Sequence, residues 1–239
     1  MLVSRLPKSK VSCVYCGAHL PIRAERQREH VVGRQFFATP RPTNLVTVTS
    51  CPECNHGFKG DEDYAHKVLC FGPAGISKVG EELWSQGLED AFKKDTGLRA
   101  AVARGVRQIP QVSVSGVSLP ERVEIKFDPD RVTRVLHKWV RGLHFFEHGQ
   151  ALSPAATIGI IDGIFWTEPQ PDLQLSPGKR SWPGTFSYWH GRDRLDRADA
   201  IWAMRLYDTH GFVAVVFAPE RVEAMRKARE ERGVSNGKA

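Results

Sequence analysis

Four cysteines stand in two pairs, Cys13/Cys16 and Cys51/Cys54, each with two residues between its members. That spacing lets both sulfurs of a pair turn back on one ion at about 2.3 Å, as a tetrahedral zinc site requires. A structural Zn2+ is therefore the expected cofactor. A plain four-cysteine ribbon separates its pairs by roughly 15–20 residues, whereas here residues 17–50 intervene. The closed loop must hold something, and it holds an adjacent acid and histidine, Glu29 and His30, with Asn44 further on. Asn55 and His56 directly follow the last cysteine, and Lys59 comes four positions after Asn55.

This order resembles the zinc-knuckle kind of HNH endonuclease, whose ββα-metal core runs CxxC, acid-His, Asn, CxxC-Asn/His. The resemblance lies within residues 1–59, about a quarter of the chain. It implies that His30 is the general base for the attacking water, and that Asn44 holds its ring in place through the nearby backbone. It further implies that Glu29 and Asn55 hold one catalytic Mg2+ or Mn2+ at the scissile phosphate, while the cysteines bind zinc and do no chemistry. The implied reaction is hydrolysis of DNA, with RNA as the alternative, to 5′-phosphate and 3′-hydroxyl ends. One such core cuts one strand, so double-strand cleavage calls for a homodimer or two successive nicks. Two features depart from the commonest pattern. Asn44 and Asn55 are eleven positions apart, and the acid is Glu29 where Asp is commoner, which makes His56 a rival metal ligand.

The elements that must position these groups can be read locally. Gly17 suits the sharp turn after Cys16. A short strand is expected from His30-Val-Val, a loop at Thr39–Thr43 where two prolines fall, and a second strand over Asn44–Thr49. Pro52 fits the first turn of a helix running past Asn55, with Asp61–Leu69 extending it or opening another. Strand, loop, strand and helix would be clamped by zinc, because so small a unit buries little apolar surface.

Charge agrees with a nucleic-acid partner. The chain has 239 residues and net charge +7, and through residue 60 nine Lys/Arg face three acids, so an excess of six lies on this segment. Such a surface attracts phosphates and releases their counterions. Arg34, Arg41 and Lys59 are the candidate phosphate contacts, although for each alone a solvated basic group is the better reading. No apolar run reaches the length of a membrane span or a secretory signal, and paired free thiols suit a reducing compartment, so a cytoplasmic location is expected. Cys70 reads as a small core residue.

With 41% apolar residues the chain can bury a core. The expected class is α+β, with a zinc-knuckle HNH domain over 1–75 and an α+β accessory domain over 76–239 carrying an antiparallel sheet, for specificity or oligomerisation. Helical spacing appears at Glu81–Lys93 and from Thr96 through Val106, and a hairpin at Val112–Phe127. The clearest helix is Pro129–His148, with Asp128 as N-cap and an apolar stripe from Val132 to Phe146. Strands are expected at Thr157–Trp166, Thr185–Trp189, Ile201–Tyr207 and Phe212–Phe217, an exposed proline-rich loop at Thr167–Gly184, and a charged helix from Glu220. His144–His148 matches the H-x-x-E-H pattern of one metallopeptidase group, but histidines ending a helix are the plainer reading. Trp182, Trp189 and Trp202 could stack bases, though sheet packing is the better reading. The rival class to a nuclease is a catalytically inactive, zinc-stabilised nucleic-acid-binding module, which would tolerate loss of His30.

Overall fold

One helix, residues 129–148, organises the molecule. The structure is a computed structural model and describes residues 11–71, 77–112, 118–125, 127–162, 173–193 and 198–231. Strands β1 (Gln27–His30) and β2 (Thr47–Ser50) form an antiparallel hairpin in which Gln27 faces Ser50 and His30 faces Thr47. His30 thus ends the first strand, where the sequence reading has it begin one. Helix α1 (Pro52–Phe71) follows after a single residue and runs unbroken through Asn55 and Asp61.

Two short helices, α2 (Lys78–Leu83) and α3 (Glu89–Lys94), replace the single helix expected at 81–93. Gly87 between them takes φ +113°, a left-handed value that interrupts the helix. Helix α4 (Thr96–Gly105) leads into the hairpin β3 (Val106–Val112) and β4 (Ser118–Ile125), so Val106 opens a strand and does not extend the helix. The turn of that hairpin lies outside the described residues.

Helix α5 (Pro129–His148) has the expected bounds. The Asp128 carboxylate accepts from the amides of Asp130 and Arg131, Pro129 occupies the first turn, and Gly149 closes the helix. Five strands follow: β5 (Thr157–Asp162), β6 (Leu173–Pro177), β7 (Phe186–Asp193), β8 (Ala200–Leu206) and β9 (His210–Phe217). They form one antiparallel sheet in the order β5-β9-β8-β7-β6. The loop expected over 167–184 in fact contains β6. It is an edge strand, the position in a sheet that tolerates Pro177. The continuation of β5 to Trp166 lies outside the described residues, as do residues 1–10 and the tail beyond 231. Helix α6 (Pro219–Glu231) ends the described chain.

The result is an α+β architecture with antiparallel sheets. The centre of α5 is buried between its two halves: the Trp139 ring meets Phe36 edge-on at 5.1 Å and Phe186 at 5.3 Å. Gly142 lets the end of the first hairpin approach, because a Cβ there would come within 2.6 Å of a Val31 methyl. Residues from both sides of position 75, from Cys13 to Val216, share one continuous buried cluster. Cys70 lies within it, its thiol donating to the Tyr207 hydroxyl at 3.0 Å. Trp202 is fully buried on the central strand, Trp182 is buried, and Trp189 is partly exposed. No helix among the described residues is long and apolar enough to cross a membrane.

Candidate metal centre and hairpin site

The first cysteine pair sits in a tight turn. Gly17 takes φ +74° and donates its N–H to the Cys13 carbonyl at 2.9 Å, while Cys13 donates to Ala18 at 2.8 Å. The turn is tied to the first hairpin by the Val14 N–H, which donates to the Thr49 carbonyl at 3.0 Å. The second pair brackets the start of α1, with Cys51 just after β2 and Cys54 in the first turn. The four sulfurs all lie within 4.8 Å of one another, and Cys16 Sγ stands 3.8 Å from Cys51 Sγ. Arms of about 2.3 Å in a tetrahedron set sulfurs about 3.8 Å apart, so the cluster fits zinc and could hold it. Burial pushes the Cys51 thiol up to about 11, and the Cys54 N–H donates to Cys51 Sγ at 3.4 Å. A dication would supply the charge that draws such thiols to thiolates.

Strand alternation divides the hairpin residues. Glu29, Val48 and Ser50 are buried, whereas Arg28 is exposed and His30, Thr47 and Thr49 are partly exposed on the opposite face. On that outer face Arg28 Nε donates to Thr47 Oγ1 at 3.0 Å. Burial and the cationic side chains of Arg34, Arg28 and Lys138 hold the His30 imidazole below its ordinary 6.5, so it is neutral and basic at neutral pH. Arg34 and Arg41 are exposed and adjacent, Arg41 Nε donating to the Arg34 carbonyl at 3.1 Å. Lys59 and His56 are exposed on α1.

Glu29 points inward and meets a group that the sequence reading missed. The fully buried Lys138 of α5 donates to Glu29 Oε1, to Glu62 Oε1 of α1 at 2.6 Å, and to the carbonyl of His30 at 2.9 Å. Every ammonium proton has an acceptor, which is the condition for burying such a charge. Burial raises the Glu62 carboxyl above its usual range while Lys138 pulls it back. Burial, reinforced by Glu29 and Glu62, raises the Tyr15 phenol well above 10. Nothing in the local pattern marks Lys138, since its partners are 76 and 109 residues away in sequence.

The asparagines have other partners than the sequence suggests. Asn55 Nδ2 donates to Gln27 Oε1, on the same strand face as Glu29 and opposite His30. Asn44, expected to bond the backbone beside His30, instead accepts at Oδ1 from Trp182 Nε1 at 3.1 Å and at its carbonyl from Arg180 at 2.7 Å. It thereby ties the hairpin loop to the segment before β7. Two oxygens, Glu29 Oε2 and Asn55 Oδ1, carry no hydrogen bond among the described residues. Compared with models of known families, with curated proteins and with solved structures, the chain matches none.

Proposed function

We propose that the protein is a metal-dependent endonuclease of the HNH kind, acting on DNA with His30 as general base. The observation that carries this reading is the place of His30: a partly exposed imidazole at the end of the cysteine-clamped hairpin, held below its ordinary value by burial and by the neighbouring Arg34 and Arg28. A phosphodiester held by those guanidiniums would lie beside the proton acceptor. The water oxygen attacks phosphorus, its proton passes to His30, and the bond to the 3′ oxygen breaks. The free oxygens of Glu29 and Asn55 are hard donors suited to Mg2+ or Mn2+, with His56 as a rival, and few protein ligands are typical where phosphate completes the shell. Such an ion supplies charge neutralisation at the phosphate and the leaving oxygen.

One observation favours a second reading, a zinc-stabilised nucleic-acid-binding module without activity. Glu29 is paired with Lys138 and lies with Asn55 across the strand from His30. Nicking of supercoiled plasmid with and without Mg2+, alongside gel-shift binding, separates the two. The nuclease reading expects Mg2+-dependent nicking that drops about 100-fold or more in His30→Ala with binding retained. Its rate should decline on the acid side with a midpoint below 6.5, the direction in which the imidazole is shifted. Equal nicking by His30→Ala would remove the mechanism, and binding without nicking by the intact protein would establish the second reading.

A further inference from the structure

The end of α5 carries a second cluster that the hairpin site does not use. His144 and His148 lie one turn apart with ring centroids 4.7 Å from each other, and His190 of β7 places its ring 5.2 Å from that of His148. All three gather around the buried indole of Trp202, on which His190 stacks at 5.1 Å. His144 Nδ1 is buried with no hydrogen-bond partner. A buried polar atom left unpaired is costly, so a ligand that takes its lone pair would be stabilising.

Glu147 decides what such a ligand does. Its carboxylate is almost fully buried, accepting at Oε1 from the Tyr188 hydroxyl at 2.6 Å and from the Lys179 N–H at 2.8 Å. Oε2 faces Lys179 Nζ at 3.4 Å and His190 Nε2 at 3.6 Å. A carboxylate so engaged is not an open base for hydrolysing a peptide. It has instead the place of the outer partner that commonly fixes the orientation of a metal-bound imidazole, and it leaves His190 Nδ1 for an ion.

We propose that His144, His148 and His190 form a second metal site, for a borderline divalent ion such as Zn2+ or Ni2+, clamping the end of α5 to β7. Three imidazoles with water in the remaining positions suit that class of ion. Among the described residues only the four cysteines already bring all their donor atoms within 4.8 Å of one another. Binding therefore draws the imidazoles together, and His148, exposed at the helix end, supplies the movement. This site is independent of the nuclease reading.

The test uses the full chain already carrying one equivalent of zinc, titrated with further Zn2+ by calorimetry, with bound metal counted by mass spectrometry after desalting. The expected result is a second equivalent in the intact protein and only one in His148→Ala and in His190→Ala, each binding the second ion at least tenfold more weakly. Cys51→Ser should lose the other equivalent and keep this one. Circular dichroism on His148→Ala, a change at an exposed position, keeps loss of binding distinct from loss of fold. A single equivalent in the intact protein, or two in the doubly substituted His148→Ala/His190→Ala chain, overturns the proposal.

Discussion

The first hairpin and the five-stranded sheet are both antiparallel, yet they are stabilised by different means. Strands β1 and β2 have four residues each, and a two-stranded ribbon of that size is marginal in water. It is fastened at one end by the cysteine cluster and inside by the ammonium of Lys138. The sheet carries its own apolar face: Trp202, Met204, Leu206, Tyr188 and Phe212 are all buried. Polar and ionic groups therefore govern the hairpin, while buried area governs the sheet. A metal in the cysteine cluster would make the hairpin sensitive to chelators, and the Lys138 network makes it sensitive to charge changes, whereas the apolar packing of the sheet responds to neither.

The sharpest way to break this comparison is to disable the cysteine cluster. In Cys51→Ser, or under a strong chelator, the cysteine site should hold no zinc, forfeiting on the order of 10 kcal/mol of metal-coupled folding energy. Hydrogen exchange should then show the amides of 27–30 and 47–50 unprotected and those of 200–206 and 212–217 still protected; equal loss in both places would mean that the two regions are one cooperative unit. Next in size, Lys138→Met should cost about 3–5 kcal/mol in denaturant unfolding, because it leaves Glu29 and Glu62 buried without their cation. Adding Glu29→Gln and Glu62→Gln should recover much of that loss, which a simple cavity would not allow.

On the sheet side, Leu206→Ala removes a fully buried side chain and should cost about 2–5 kcal/mol. That cost should be the same at pH 5 and pH 7, since no titrating group is involved. The smallest effect sharpens the contrast. His66 on α1 packs edge-on against Phe36 and is depressed by burial and by Lys67 and Arg41 to about 4. The unfolded chain, with an ordinary value near 6.5, binds that proton first. His66 therefore favours the fold fully above about pH 6.5 and progressively less as pH falls towards 4. The decline should be about 2–3 kcal/mol, read as the melting temperature across that window and flattened in His66→Phe.

Part of this architecture is legible in the sequence alone. The paired cysteines and helix α5 are written in local spacing and local caps, because a knuckle needs only two intervening residues and a helix only its stripe, Asp128 and Gly149. The helix after Cys51 was legible for the same reason. Strand β6 was not, because its short, proline-ended run looks like a loop until β7 pairs with it. The partner of Asn44 was equally hidden, since the Trp182 indole comes from 138 residues away.

What the chain alone determined is the set of groups capable of chemistry and the order in which they occur: sulfurs spaced for an ion, an acid beside a histidine, and a basic segment around them. What only the tertiary structure decided is which of these groups remain available. Glu29 turns inward to an ammonium from a distant helix while His30 turns outward between guanidiniums, and three separated histidines meet at one indole. The reason is physical: alternation along a strand and burial are settled by what packs on each face, and those neighbours come from parts of the chain that local patterns cannot connect.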